Sequence, residues 1–198
     1  MLGEKFDEAL ALAAELHREQ LRKEVPVPYL SHLMAVASLV LEANAYSPME
    51  NIEDVAIGAL LHDIVEDQGH RITLEEIRRR FGDTVHRIVL ECSDAVVTSP
   101  DDEKQPWKDR KQTYISAVRS KSRETLLVSC ADKLHNARCV LFDYERIGDR
   151  IWDRFKGGRD GTAWYYQSLA HEFEKAWPEN PLLADFQTLA MRLERAAA

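Results

Sequence analysis

The sequence has few cysteines, no long apolar run and no excess of positive charge. Its three cysteines are Cys92, Cys130 and Cys139, an odd number without a Cys-x-x-Cys pair, which is typical of reduced thiols inside a cell. No apolar stretch reaches the roughly 18 residues of a membrane helix, and the N-terminus lacks a signal-peptide pattern. The net charge of −8 argues against a nucleic-acid partner, which needs a general basic surface. We therefore expect a cytoplasmic protein without a membrane or nucleic-acid partner.

Apolar residues recur at helical spacing through almost the whole chain, and no alternating strand pattern exceeds a few residues. Asn51 is a plausible N-cap, and Thr73 with Glu76 has the form of a capping box. The stretch from Ser93 to Pro106 has the composition of a loop. We predict an all-α helical bundle that forms a single domain, residues 1–198, and a homo-oligomer is possible. The predicted helices are 4–23, 30–44, 51–67, 73–80, 83–92, 107–119, 122–143, 162–176 and 181–196.

The most informative segment is Leu60–Asp67, where a histidine and three carboxylates interrupt apolar sequence. On one continuous helix His62, Asp63, Glu66 and Asp67 would share an arc of roughly 140° that also carries much of the buried face. Burying ionisable groups is unfavourable unless they are paired or bind a metal. The alternative is a solvated acidic helix end that happens to contain one histidine.

Two further residues favour the metal site. His32 begins a second apolar helix, and Asp132 directly follows the apolar run Leu126–Ala131. Together with His62 and Asp63 they supply two imidazoles and two carboxylates from three helices. Such mixed ligation suits a divalent transition metal such as Mn²⁺, with Fe²⁺ or Zn²⁺ as alternatives. Cys130 belongs to the apolar run before Asp132, where core packing is expected, so a thiolate zinc site is not expected.

These motifs resemble those of the HD-domain metal-dependent phosphohydrolases, whose four ligands match His32, His62, Asp63 and Asp132. The chain is similar, more narrowly, to the hydrolase domains of RelA/SpoT-type alarmone enzymes and to stand-alone small alarmone hydrolases. Three features carry the narrower resemblance: Arg22-Lys23 ahead of Pro28–His32, the Glu66-Asp67 pair, and the run Ala131–Arg138. The resemblance extends from about residue 5 to about residue 175.

The resemblance implies catalytic roles for Glu66 and Asp67, although either could instead be a cap or a support for the ligands. It also implies substrate contacts by Arg22, Lys23 and Asn136. Guanidinium and ammonium groups both suit phosphate, and Asn136 lies one turn beyond Asp132. Lys111 and Tyr165 are further candidates, for phosphate and nucleotide respectively, with a solvated surface and a core position as the alternatives. We expect Lys133 and His135 to point away from the site.

The resemblance implies a metal-dependent pyrophosphohydrolase that removes the 3′-diphosphate from a small-molecule nucleotide, (p)ppGpp or (p)ppApp. A chain of this length is expected to degrade the alarmone without making it. The glycine-rich stretch Lys156–Gly161 departs from the family pattern and leaves the base preference open. Two rivals remain: an HD-type nucleotidase or phosphodiesterase acting on ordinary nucleotides, and a non-catalytic nucleotide-binding regulator.

Overall fold

The computed structural model describes residues 2–94 and 105–198, and these residues form a helical structure. The only β-type pairing within the described residues is an isolated bridge between Leu21 and Pro28. Short 3₁₀ segments, Val118–Ser120 and Gly148–Arg154, precede α8 and α9. No helix among the described residues is long and apolar enough to cross a membrane. The α-helices are α1 (Glu4–Leu16), α2 (Leu30–Ala43), α3 (Ile52–Leu61), α4 (Ile64–Asp67), α5 (Leu74–Phe81), α6 (Asp83–Cys92), α7 (Trp107–Ala117), α8 (Arg123–Ile147), α9 (Gly158–Ala176) and α10 (Leu183–Ala196).

Two helices hold the bundle together. The short α3 packs against α1, α2, α6 and α8, and every residue from Val55 to Leu61 is buried. The 25-residue α8 packs against α2, α3, α6, α9 and α10. A helix that is apolar on all sides belongs in the centre of a bundle. The candidate ligands at the end of α3 and in the middle of α8 are therefore carried by central elements.

The all-α prediction is confirmed, while several helix bounds differ from the predicted ones. The first helix ends at Leu16 rather than at residue 23, and residues 17–29 form the turn region that contains the Leu21–Pro28 bridge. α9 begins at Gly158, whereas the corresponding predicted helix begins at residue 162. The bound that matters for function is the break at His62-Asp63, which divides the predicted helix 51–67 into α3 and α4.

The predicted helix ends have mixed outcomes. Thr73 Oγ1 accepts a hydrogen bond from the Glu76 N–H at 3.2 Å, as the capping box predicts, and Gly82 ends α5 with φ of 91°. The side chain of Asn51 makes no capping hydrogen bond to α3, and its Nδ2 donates to Glu124 Oε1 at 3.1 Å. Of the predicted loop from Ser93 to Pro106, residues 95–104 lie outside the described part of the chain.

Candidate active site

The structure brings the four predicted ligands together from three parts of the bundle. His32 lies in the first turn of α2, His62 and Asp63 occupy the break between α3 and α4, and Asp132 lies in the middle of α8. One ligand atom each from His32, His62 and Asp63 lies within 4.8 Å of the others. Asp132 Oδ1 lies 3.2 Å from His32 Nε2 and 3.6 Å from His62 Nε2. Asp63 Oδ2 lies 3.0 Å from His62 Nε2 and 3.8 Å from His32 Nε2.

The hydrogen bonds of His62 suit a metal ligand. Its Nδ1 is 2.8 Å from the Ala59 carbonyl oxygen, which can only accept, so the proton is on Nδ1. In the neutral imidazole the lone pair is then on Nε2, which lies between the two carboxylates. Both His62 Nε2 and His32 Nε2 are buried and have no hydrogen-bond partner in the described chain. Ligand atoms that bind one ion at about 2.1 Å lie roughly 3–4 Å apart, so these residues fit a divalent cation.

The electrostatics of the cluster favour a positive charge between its carboxylates. Burial opposes a charge on His62, but Asp63 and Asp132 outweigh burial and raise the pKa of His62 well above its ordinary value. Burial likewise opposes ionisation of Asp63, yet His62 holds the pKa of Asp63 below its usual range. For Asp132, burial is outweighed first by Lys133 and then by the histidines, and its pKa is also lowered. Ionised carboxylates that favour a positive charge at His62 Nε2 equally favour a divalent cation, which would take the place of the proton on that nitrogen.

Glu66 belongs to a network of charged side chains that the sequence did not reveal. The Asp94 N–H lies 3.4 Å from Glu66 Oε2, and Arg110 Nη1 lies 3.9 Å from Glu66 Oε1. Asp94 in turn pairs with Arg110 and, at 2.5 Å, with the Lys111 ammonium. Burial acts to raise the pKa of Asp94, but the two cations outweigh it and lower that pKa to about 2. Asp94 thus stays ionised and holds both cations beside Glu66.

Asp67 has a different environment from Glu66. Its Oδ2 accepts a hydrogen bond of 2.8 Å from Gln20 Nε2, and Gln20 Oε1 lies 2.7 Å from His17 Nδ1. Glu66 lines a cavity next to the cluster, whereas Asp67 is not among the residues that line it. The two predicted catalytic carboxylates are therefore held by separate sets of partners. Tyr29 adds a further contact that the sequence did not indicate, because its hydroxyl donates to Asp63 Oδ2.

A cavity of about 370 Å³ lies beside the cluster, which is within the range of small-molecule sites. All five predicted substrate residues line it: Arg22, Lys23, Lys111, Asn136 and Tyr165. Among the described residues its walls contain seven cationic side chains, the further four being Arg110, Lys133, Arg154 and Lys156, and two acidic ones, Glu66 and Asp143. A cavity with this excess of positive charge suits a ligand with several negative charges.

Three of the predicted substrate residues have partners on the cavity wall. Arg22 Nη2 donates to Asn136 Oδ1 at 3.2 Å, and Lys23 Nζ donates to the Arg154 carbonyl. Asn136 also donates from Nδ2 to Asp132 Oδ1 at 2.5 Å. Tyr165 is almost completely buried, and its hydroxyl has no hydrogen-bond partner within the described chain. Asn136 therefore contacts a candidate metal ligand directly.

The expectation that Lys133 and His135 point away from the site is wrong. Lys133 Nζ lies 2.5 Å from Asp132 Oδ2, and the side chain lines the cavity. His135 Nδ1 lies 2.8 Å from His32 Nδ1 and 3.3 Å from Arg22 Nη1. Burial, followed by the effect of His32, lowers the pKa of His135 to about 4. The spacing held a signal for His135, because residues three apart on a helix share a face with Asp132.

Two glycines, Gly157 and Gly161, allow the Trp107 ring to pack closely at the cavity wall. A Cβ added at Gly157 would lie 2.6 Å from Trp107 Cη2, and one added at Gly161 would lie 3.2 Å from Trp107 Cζ3. The Trp107 ring, which lines the cavity, thus lies directly against the start of α9. It also makes edge contacts with Trp164 and Tyr165 at centroid distances of 6.2 Å. The glycine-rich segment provides the space that this ring needs.

Comparison with known proteins identifies the class to which this fold and site belong. A family model described as an HD domain matches residues 9–163, and the chain belongs to the HD-domain family. Its His/Asp cluster is accordingly a divalent metal site.

Curated relatives show which HD-domain proteins this chain resembles. The chain is 37% identical over 148 residues to guanosine-3′,5′-bis(diphosphate) 3′-pyrophosphohydrolase MESH1 of Xenopus tropicalis, covering 73% of this chain and 72% of that protein. It is 35% identical over 152 residues to the MESH1 of Homo sapiens, covering 75% and 74%. A solved structure described as a metazoan ortholog of SpoT that hydrolyses ppGpp superimposes with a TM-score of 0.72 at 25% identity, covering 97% of both chains.

Proposed function

We propose that this protein is a metal-dependent pyrophosphohydrolase that removes the 3′-diphosphate from a nucleotide of the (p)ppGpp type and releases pyrophosphate. The observation that carries the proposal is the position of a buried His/Asp cluster beside a cavity with seven cationic side chains. The MESH1 relatives are named as hydrolases of guanosine-3′,5′-bis(diphosphate). A compound with two diphosphates carries the charge for which this cavity is suited.

Four residues would hold the metal: His32, His62, Asp63 and Asp132. Mn²⁺ is the proposed ion because the donor set mixes imidazole nitrogen with carboxylate oxygen. A divalent metal, when bound, would lower the pKa of a coordinated water and orient that water toward phosphorus. The hydrogen bonds from Tyr29 to Asp63 and from Asn136 to Asp132 support this assignment, because they orient the carboxylates.

Glu66 is the proposed proton acceptor. Its carboxylate lines the cavity, and Arg110 Nη1 lies 3.9 Å from Glu66 Oε1. A carboxylate in that position accepts the proton that the attacking water loses. Asp67 is proposed to steer that water or to support the neighbouring helix turn, since Gln20 fixes its orientation.

The cations bind the phosphates. Arg22 and Lys23, which precede α2, and Lys111, in α7, all line the cavity, and we assign them to the phosphates of the nucleotide. Asp94 occupies Lys111 and Arg110, and a phosphate group would compete with this carboxylate for both. Tyr165, whose ring lies 5.1 Å from the Lys111 ammonium, would contact the nucleotide beside that phosphate.

An assay of the products tests the proposal. Purified protein is stripped with chelator, reloaded with Mn²⁺, and incubated separately with (p)ppGpp, (p)ppApp, GMP and AMP. We expect pyrophosphate and the 5′-phosphorylated nucleotide from an alarmone, only when metal is present. A His62→Ala variant prepared in parallel is the control for contaminating hydrolases and should be inactive at unchanged helix content.

Two results would overturn the proposal. Release of orthophosphate from monophosphates, with both alarmones untouched, would instead identify an HD-type nucleotidase. Tight nucleotide binding without turnover by the metal-loaded protein would identify a regulator. The same proposal includes a single domain over residues 1–198 and a cytoplasmic location.

A further inference from the structure

Arg22 is linked to two candidate metal ligands through two intermediate side chains. Its guanidinium contacts His135 Nδ1 at 3.3 Å and Asn136 Oδ1 at 3.2 Å. His135 contacts His32, and Asn136 contacts Asp132. We infer that Arg22 and His135 are positioning residues that set the tautomer of His32, so that its Nε2 lone pair is presented to the metal. This inference rests on the proposed metal centre and goes beyond it.

The tautomers follow from the chemistry of arginine. A guanidinium has only N–H donors and no acceptor. Because Arg22 Nη1 faces His135 Nδ1, that nitrogen must carry a lone pair, and the proton of His135 is on Nε2. His32 Nδ1 lies 2.8 Å from the same nitrogen, so His32 must be the donor in this second contact. The lone pair of His32 is then on Nε2, which is 3.2 Å from Asp132 Oδ1.

Arg22 also sets the direction of the hydrogen bonds that lead through Asn136 to Asp132. Arg22 donates to the Asn136 amide oxygen, which leaves the amide nitrogen of Asn136 to donate to Asp132 Oδ1 at 2.5 Å. One guanidinium therefore sets the direction of hydrogen bonding in both branches. For His62, by contrast, the backbone carbonyl of Ala59 sets the tautomer. The tautomer of His32 is set by side chains, and we call the chain of contacts from Arg22 through His135 to His32 the relay.

The relay has a consequence that opposes simple electrostatics. Removing a positive charge near a cation site should strengthen cation binding by Coulomb's law. Removing Arg22 should weaken it, because His135 and Asn136 are then free to turn and His32 can present a protonated Nε2. The sign of the change in Mn²⁺ affinity therefore separates the relay from a purely electrostatic role.

The test measures Mn²⁺ binding to chelator-stripped protein by titration calorimetry, with no nucleotide present. His135→Phe keeps an aromatic ring but removes the acceptor, and we expect a loss of about 10- to 100-fold in affinity, the usual effect of losing a partner of a metal ligand. His135→Asn places an amide oxygen near the position of Nδ1 and should recover most of that loss. Arg22→Met should weaken binding by about tenfold.

Lys156→Met is the matched control for charge, since Lys156 lines the same cavity but is not part of the relay. It should bind Mn²⁺ as tightly as the wild type or more tightly. Melting temperatures of the metal-free variants show whether the fold is intact. Equal affinity of His135→Phe and wild type, or tighter binding by Arg22→Met, would overturn the relay. Failure of the wild type itself to bind Mn²⁺ would instead overturn the proposed metal centre.

Discussion

Lys121 is a buried cation whose removal should stabilise the protein. It follows the 3₁₀ segment Val118–Ser120 and is only 8% exposed. Its ammonium has no hydrogen-bond partner among the described residues and lies 3.4 Å from the centroid of the Tyr114 ring. Burial lowers the pKa of Lys121 from 10.5 to about 8. Methionine at this position would keep the length of the side chain and remove the charge.

The lowered pKa sets the size of the effect. A lowering of the pKa from 10.5 to about 8 corresponds to about 3 kcal/mol, at 1.36 kcal/mol for each pKa unit. The Tyr114 ring returns about 2 kcal/mol by attracting the cation, and methionine loses that attraction. We therefore expect Lys121→Met to raise the free energy of unfolding at pH 7 by about 1–3 kcal/mol.

The gain should depend on pH with a defined sign. Below about pH 8 the lysine is charged in both states, and the whole penalty of burying the charge is present. As the pH rises from there through 10.5, the folded protein loses its proton before the unfolded chain does, so wild-type stability rises relative to the variant. Urea unfolding of metal-free protein between pH 7 and 10.5 measures the difference. Lys175→Met, at an exposed position of α9, is the control and should show no such trend. A variant that is less stable throughout, or a difference that does not change with pH, would refute the reasoning.

Three further predictions concern the site. Glu66→Gln should lower kcat by about 10²–10⁴ with unchanged metal content, because it removes a proton acceptor and not a ligand. A pyrophosphate assay and a metal analysis of the same sample test this, and loss of metal from the variant would contradict it. Gly157→Ala should lower the unfolding free energy by about 1–3 kcal/mol through its clash with Trp107, and Trp107→Leu in the same chain should relieve most of that loss. Lys111→Met should raise KM more than it lowers kcat if it grips a phosphate in ground and transition states alike; equal effects on both constants would contradict this role.

The sequence predicts the candidate ligands because their chemistry is local. An adjacent His62-Asp63 pair in apolar sequence, with His32 and Asp132 each at an apolar helix, can be recognised without a three-dimensional structure. The break between α3 and α4 could not be predicted in this way, because no proline or glycine interrupts Leu60–Asp67. At the break, Asp63 accepts a hydrogen bond from the Tyr29 hydroxyl, a tertiary contact that the local sequence does not indicate.

Contacts between helices explain what else the sequence did not show. His135 contacts His32 because α2 packs against α8, and spacing along α8 alone does not identify that neighbour. Asp94 follows α6, and its pairing with Lys111 requires α7 to lie beside it. Nor does the composition of Lys156–Gly161 reveal that Trp107 fills the space left by the missing side chains.

The distribution of charge connects the acidic chain to its proposed anionic substrate. The protein carries a net charge of −8, so at long range it repels a nucleotide with two diphosphates. Charges on the exterior are screened beyond about 8 Å at physiological ionic strength. Within the cavity the walls exclude part of the water and ions, and seven cationic side chains face two acidic ones. Attraction of the proposed substrate would therefore act mainly inside the cavity. The proposed preference for a small polyanion rests on where these cations lie, not on how many the chain contains.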